Sequence, residues 1–448
     1  MTELPEEFTN EIRSLLGAEC GSFFSAFENK PATSIRLNGF KPVPLFGECE
    51  KVEWCHDGRY LHDRPGFIGD PLFHAGTYYV QESSSMFLDF LLRNIISRND
   101  KPLKILDLCA APGGKSTIIS SCLSEKDLLV SNEIIRSRVS VLAENMMKWG
   151  QSNGMITNND AKDFSHLDCW FDVIVLDAPC SGEGLFRKDK KAIEQWSAAN
   201  VLHCAARQKR IFSDVIGSLK PNGYLIYSTC TFNEIENEEN VKWMMEHFEM
   251  EPMQINTDAK WNIVQNELGY RFYPHKVKGE GFFISCLKKR SGNISKTKSK
   301  SSKPEFVSKK TTEELKPWLK NPDQYEFIQY GKEIQALNKD LINDFEFVSK
   351  KIKTIYSGIT MGELMNGKLH PSHQLALSNV LDESVKRLDL SREDAIRYLR
   401  MDPLKTETPE KGLHLVTYKN FGLGWVNVLP TRINNYLPNN LRIRKMIS

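Results

Sequence analysis

An α/β fold, a mainly parallel sheet with helices on both faces, is what the sequence predicts, and two observations carry it. Between residues 103 and 229, four short apolar runs bounded by turn residues alternate with longer stretches of helical apolar spacing. The residues least suited to packing, Asp107, Glu133, Asp177 and the Thr229-Cys230 pair, gather at the carboxyl ends of those runs, where such sheets bind ligands. LKILDL (103–108), DLLVSNE (127–133), FDVIVLD (171–177) and GYLIYST (223–229) read as buried strands. Between them STIISSCL, RSRVSVLAENMMKWG and IEQWSAANVLHCAARQKRIFSDVIGSLKPNG read as helices, the last closed by a Pro-Asn-Gly stop.

Length and charge set the frame around this sheet. At 448 residues the chain exceeds one hydrophobic core, and roughly two to four domains are expected. No apolar run approaches the about 18 residues that a membrane span needs. The start, MTELPEEFTNEI, is acidic and lacks the pattern of a signal peptide; it reads as an amphipathic helix with Phe8, Ile12, Leu15 and Leu16 on one face. Ten cysteines are scattered without a C-x-x-C pair, which argues against a zinc ribbon or a redox motif and for reduced thiols in a cytoplasmic protein. His370 and His373 have no partner set in sequence, so no metal is expected. The net charge is +2, but Lys288 to Lys310 carries nine Lys or Arg against the single acid Glu305. That stretch reads as a flexible basic linker, either a plain solvated connector or a loose contact for nucleic-acid phosphates.

The turn after the first strand, LCAAPGGKSTII (108–119), imitates a phosphate loop. A Walker A loop would place its first glycine where Cys109 stands, and Asp107 beside it would repel a triphosphate. VIVLD at 173–177 keeps the nucleotide triphosphatase reading open. Glu133 lies at about the twenty-residue offset at which an acid accepts hydrogen bonds from ribose hydroxyls, and Asp160 is spaced to reach an adenine amino group. Several carboxylates suit a cationic cofactor such as S-adenosylmethionine. Lys115 has three readings: a phosphate ligand, a cofactor contact, or an exposed helix-start lysine.

With LDLCAAPGGKS (106–116), DAPCSGEG (177–184), YSTCTFNEIENEENV (227–241) and PHKVKGEGFF (274–283), preceded by SIRLN (34–38) and AGTYYVQESSSM (75–86), the chain resembles the RNA cytosine-C5 methyltransferases of the RsmF and NSUN type. LHPSHQLAL (369–377), LSREDAIRYLR (390–400) and LGWVNVLPTRINNYLPNNLR (423–442) resemble the C-terminal part of the RsmF branch. The resemblance implies a Rossmann-like S-adenosylmethionine-dependent methyltransferase core with an N-terminal α+β accessory domain and a C-terminal PUA-like RNA-binding region. The expected boundaries are 1–75, 76–290 for the catalytic domain, 291–320 for the linker and 321–448.

Cytosine C5 is a poor nucleophile, so the chemistry implied requires a thiolate to add to C6 and a second group to remove the C5 proton. By resemblance Cys230 is the nucleophile, Cys180 assists product release, and Asp177 holds the cytosine edge. Cys109, Ala110, Ala111, Pro112, Gly113, Gly114 and Lys115, with Glu133, Asp160 and Asp177, are the residues implied to bind S-adenosylmethionine. As side chains, Cys109 and Cys204 are expected to be inert packing thiols. The sequence departs from the family after CTF, where Glu234 and Ile235 stand. The expected partner is ribosomal RNA within the small subunit, with no membrane and a monomeric state. The alternative is a non-catalytic RNA-binding or ribosome-assembly factor on the same fold.

Overall fold

The computed structural model describes residues 4–290, 305–404 and 410–444, so residues 291–304 of the expected linker lie outside it. Helices Glu6–Leu16 and Cys20–Glu28 precede a three-stranded antiparallel sheet, in the order β2-β1-β3, of β1 (Thr33–Leu37), β2 (Gly58–Leu61) and β3 (Tyr78–Val80). Because β3 pairs with β1, the N-terminal unit runs past the boundary expected at residue 75. The apolar face of the first helix is as expected, with Phe8 and Ile12 buried and Leu15 and Leu16 partly so. It packs on Phe186, Trp196 and Phe232 of the central unit.

The central sheet holds β4 (Lys104–Asp107), β5 (Leu128–Asn132), β6 (Gly154–Thr157), β7 (Phe171–Asp177) and β8 (Leu219–Thr229), all parallel, in the order β6-β5-β4-β7-β8. The order reverses between β4 and β7, which opens a crevice beyond Asp107 and Asp177. Side chains alternate between two cores: Ile105, Val173 and Val175 face one, Leu106, Ile174 and Leu176 the other. Helices Phe87–Ile96, Gly114–Cys122 and Arg136–Trp149 cover the first face, and Ala198–Val215, Glu238–Phe248 and Ile342–Ser349 the second. Beyond β8 the sheet turns antiparallel: β9 (Met250–Pro252), β10 (Val264–Asn266) and β11 (Gly269–Phe272) lead to β12 (Phe282–Lys289), which pairs with β8, β9 and β11.

Two local expectations give way. The helix read from Ile193 onward is broken: Lys190–Gln195 ends, and the Ser197 side chain accepts from the Asn200 amide to start Ala198–Val215 afresh. Pro221, Asn222 and Gly223 do not stop that helix; they lie within β8, where the register shifts against β7 and Asn222 takes φ +63°. The short strand β6 has no long apolar run to announce it.

The C-terminal portion adds β13 (Tyr325–Tyr330), β14 (Glu333–Asn338), β15 (Thr354–Ser357), β16 (Ile359–Met365) and β17 (Lys368–Pro371), then β18 (Arg387–Asp389), β19 (Gly412–Tyr418), β20 (Phe421–Val428) and β21 (Ile433–Asn435). Two four-stranded sheets result, β13-β14-β16-β17 and β18-β19-β20-β21, while β15 leaves them and pairs antiparallel with β6 at the edge of the central sheet. The segment 305–320, expected as linker, is folded: Phe306 bridges Ile328, a helix spans Lys309–Leu315, and Leu315 and Leu319 share a core with Trp425. Apolar residues within the basic stretch supply the driving force for this.

Lys41 joins the three units. Its ammonium group donates to the carbonyls of Ala75 at 2.9 Å, Lys148 at 2.6 Å and Leu377 at 2.7 Å. Lys148 lies in the last turn of helix Arg136–Trp149, where carbonyls lack helical partners and favour a cation. Asn38 and Asn379 both donate to the carbonyl of Trp149, at 3.0 and 3.3 Å. Burial pushes the Lys41 pKa down to about 7, a cost that three carbonyl acceptors offset. Replacing Lys41 with Met leaves those carbonyls without a donor, and we expect a loss of about 3 kcal/mol in the first urea-unfolding transition. An unchanged midpoint would show the junction to be incidental.

Candidate active site at the switch point

The turn after β4 is shaped by where its backbone must go. Gly113, at φ +113°, starts helix Gly114–Cys122, a conformation that a side chain resists. Asn145 and Arg138 hold the turn from above, donating to the carbonyls of Pro112 at 2.8 Å and Ala111 at 2.6 Å. Below it, Ser116 donates to Asp107 Oδ2 at 2.6 Å, whereas Asp107 Oδ1 is buried with no partner among the described residues. Burial raises the Asp107 carboxyl to about 7, against the Ser116 bond. Lys115 does not stand free at the helix start. Its Nζ lies 2.7 Å from Asp177 Oδ2 and 5.1 Å from the centroid of Phe282. Burial opposes its charge, but the neighbouring groups, Asp177 first and then Asp107, together outweigh it and the Lys115 pKa rises. Asp177 Oδ1 accepts from Ser228 at 2.8 Å.

The two cysteines meet because β7 and β8 are neighbours, with Asp177 opposite Ser228. Cys180 Sγ and Cys230 Sγ lie 3.2 Å apart, and the Cys230 amide donates to Cys180 Sγ at 3.3 Å. The hydrogen bond with Cys230, together with burial, holds the Cys180 pKa well above the ordinary thiol value. Glu133, at the end of β5, is buried; its carboxylate accepts from the Ile135 amide at 2.8 Å and lies 3.5 Å from Arg138 Nη1. Asp160 starts the short helix Ala161–Leu167, accepting from the Lys162 amide at 3.2 Å, with Arg210 at 4.0 Å. All these residues therefore lie beyond the carboxyl ends of the parallel strands. Cys109 and Cys204 are held up by burial, Cys204 to about 11.

Sequence reasoning misses what fixes the two cysteine loops. Glu183 accepts from the Phe232 amide at 2.8 Å, the Asn233 amide at 3.0 Å and Trp196 Nε1 at 3.0 Å. Glu236 accepts from the Ser181 amide at 3.1 Å and Gln208 at 2.7 Å. Asn233 Nδ2 lies between them, 3.0 Å from Glu183 and 2.9 Å from Glu236. Each carboxylate belongs to, or reaches, the loop opposite its donors, so the network ties residues 181–183 to 231–236. Gly184 and Gly281 allow a further close approach: a Cβ on Gly184 would sit 2.3 Å from the Gly281 carbonyl oxygen, and one on Gly281 would sit 2.2 Å from the Phe232 ring. The signal was present in the repeated GEG of residues 182–184 and 279–281, but spacing alone does not say that the two meet.

Among the described residues, no helix is long and apolar enough to cross a membrane, and no group of three or more His, Cys, Asp or Glu is placed to hold a metal ion.

Substituting Asn233 with Ala removes the donor shared by the two carboxylates, and we expect a cost of about 2 kcal/mol together with faster labelling of Cys180 and Cys230 by a thiol reagent. Unchanged labelling rates would show that the network does not govern the loops.

Comparison with known proteins adds three family matches: 16S rRNA methyltransferase RsmB/F over residues 95–288, the N-terminal domain of 16S rRNA methyltransferase RsmF over 4–83, and the methyltransferase RsmF PUA domain over 385–443. Ribosomal RNA small subunit methyltransferase F of Vibrio parahaemolyticus is 31% identical, over 98% of this chain and 97% of its own length. That of Pectobacterium atrosepticum is 35% identical over 64% of this chain and 63% of its own. The crystal structure of NSun6 from Pyrococcus horikoshii with SFG shares the fold, with a TM-score of 0.54 at 21% identity, covering 64% of this chain and 99% of that one.

Proposed function

The chain belongs to the RsmB/F family of 16S rRNA methyltransferases, and from that premise we propose that it methylates C5 of a cytosine in small-subunit ribosomal RNA through a covalent bond between Cys230 and C6. The observation that carries this reading is the pair of thiols 3.2 Å apart at the ends of adjacent strands. A buried structural cysteine needs no such partner. The chemistry needs one sulfur to add and a second group within reach of the neighbouring carbon.

The elevated pKa of Cys180 supports the division of labour. The contact with Cys230 and burial both disfavour ionisation of Cys180, which suits it to a role other than first attack and agrees with Cys230 as the sulfur that adds to C6. Once Cys230 is bonded to C6 it no longer makes that contact as a thiol. The principal cause of the raised Cys180 pKa is then gone, so Cys180 can release its proton to water; as a thiolate it takes the C5 proton, the C5–H electron pair restores the C5–C6 double bond, and the Cys230–C6 bond breaks to return the Cys230 thiolate. Asp177, fixed by Lys115 and Ser228, holds the cytosine edge.

The crevice fits S-adenosylmethionine on its own chemistry. A buried carboxylate with an unpartnered oxygen, Asp107 Oδ1, suits a cationic ligand. Residues Cys109 to Lys115, Glu133, Asp160 and Asp177 would hold the cofactor, which when bound supplies the methyl group. Ribosomal RNA is the partner, and the reading takes the protein to work in the cytoplasm as a monomer.

Bisulfite sequencing of small-subunit RNA from a deletion strain and its parent tests the product: one or more protected cytosines should disappear, and an identical pattern would overturn the proposal. Cys230→Ala should abolish transfer with cofactor affinity nearly intact, while Cys180→Ala should leave enzyme and RNA joined in a species that runs slowly on a denaturing gel and that ribonuclease collapses. Normal turnover by Cys180→Ala would make that thiol structural.

Cofactor affinity should also depend on pH. A cation binds best to ionised Asp107, whose carboxyl is raised to about 7, so protons must leave for binding below that value. Affinity measured by calorimetry should rise about tenfold from pH 6 to pH 8 and then level off, and Asp107→Asn should flatten the profile. The opposite slope would exclude Asp107 from contact with the cation.

A further inference from the structure

The C-terminal portion reaches the cofactor side of the crevice through one peptide. β15 adds to β6 antiparallel, with Thr354 opposite Thr157, and immediately before it the Lys353 backbone meets the loop that ends in Asp160. The Asn159 side chain donates to the Lys353 carbonyl at 2.9 Å and accepts from the Lys353 amide at 2.9 Å. That is the two-way exchange by which one backbone group pairs with another, so the amide acts as an extra rung of the β-ladder. Asn158 is engaged beside it: its amide donates to the Lys353 carbonyl at 3.2 Å and its Oδ1 accepts from Lys353 Nζ at 3.1 Å.

From the other side the same two residues are tied to β5. The Asn159 amide donates to Asn132 Oδ1 at 3.0 Å, and Asn132 Nδ2 donates to the Asn159 carbonyl at 3.0 Å. The Asn158 side chain donates to the carbonyl of Glu133 at 2.8 Å and to that of Ile134 at 3.1 Å. The two bonds between Asn159 and Asn132 are buried, away from competing water. The loop between β6 and Asp160 is thus fixed between two elements from distant parts of the chain. One carries Glu133. The other is the strand that leads out of the catalytic sheet into the C-terminal sheets.

We infer that Asn159 is a positioning residue for the cofactor, clasping the Lys353 peptide so that docking of the C-terminal portion sets the placement of Asp160 and, through Asn158, of Glu133. This rests on the reading of Glu133 and Asp160 as cofactor ligands. Coupling of this kind is reciprocal: if the clasp favours cofactor binding, the cofactor favours the clasp.

The test uses the full-length chain and two variants. Asn159→Ala removes both bonds; Asn159→Asp keeps the volume and one acceptor but turns an oxygen toward the Lys353 carbonyl. In both, the KM for S-adenosylmethionine should rise about tenfold, while kcat and the KM for RNA stay within about twofold. In the wild-type protein, saturating S-adenosylhomocysteine should slow hydrogen exchange of the amides from Lys353 to Ser357 severalfold, and in Asn159→Asp it should not. A folded Asn159→Asp with wild-type cofactor KM, an equal rise in the KM for RNA, or exchange that ignores the ligand would each overturn the clasp. If S-adenosylhomocysteine and S-adenosylmethionine fail to bind even the wild-type chain, the cofactor reading itself falls, and the clasp with it.

Discussion

Two buried carboxylates with no ion-pair partner among the described residues, Glu183 and Glu236, fix the geometry on which the rest depends. Each is satisfied by backbone amides and neutral donors. A buried carboxyl group of this kind holds the loops that surround it to one arrangement, because any other leaves its oxygens unpaired. The consequence is that two loops following adjacent strands present their thiols at contact distance. Burial raises the Glu236 pKa, and the donors from Ser181, Asn233 and Gln208 act against that rise. The same residues that position the cysteines therefore also keep their surroundings compatible with charge.

The crevice beside these loops shows how a phosphate-loop look-alike differs from the real thing. A lysine that ends a glycine turn is normally free to meet an anionic ligand, but Lys115 is already paired with Asp177. Behind it stands a buried carboxylate, Asp107, with one oxygen unpartnered among the described residues. The turn keeps the close backbone approach of its better-known relatives and reverses the charge it prefers.

Much of the catalytic sheet was legible because its strands are apolar runs with charged residues at their carboxyl ends, a local pattern. The short β6 and the bulge at Asn222 were not, since neither leaves a mark in periodicity. The edge strand β15 comes from a region nearly two hundred residues beyond its partner, and the 194 residues between Asn159 and Lys353 are a separation that no window of sequence spans. Composition alone does not mark the acid-rich stretch NEIENEEN as buried. Yet Asn233, Glu236 and Asn240 are buried because their partners lie in the loop after β7 and in helix Ala198–Val215, and Asn237 is buried against Thr229 and Thr231. Polar residues announce a buried network only when the opposing donors are known. Candidate site residues were readable as a set of motifs, whereas what orients them was not.

The junction at Lys41 bears on the order in which the molecule is assembled. Its bond to Leu377 spans 336 residues of chain, and the first helix closes on Phe232 across about half of the protein. Contacts so far apart in sequence carry a large loop-closure cost and form late. On the ribosome, the amino-terminal helices emerge long before the loops they cover, and Lys41 waits for almost the whole chain before its third acceptor exists. The nascent protein thus passes through a stage in which the catalytic sheet has its strands but not its outer braces. The outer braces therefore close last, after the surfaces they cover have already formed.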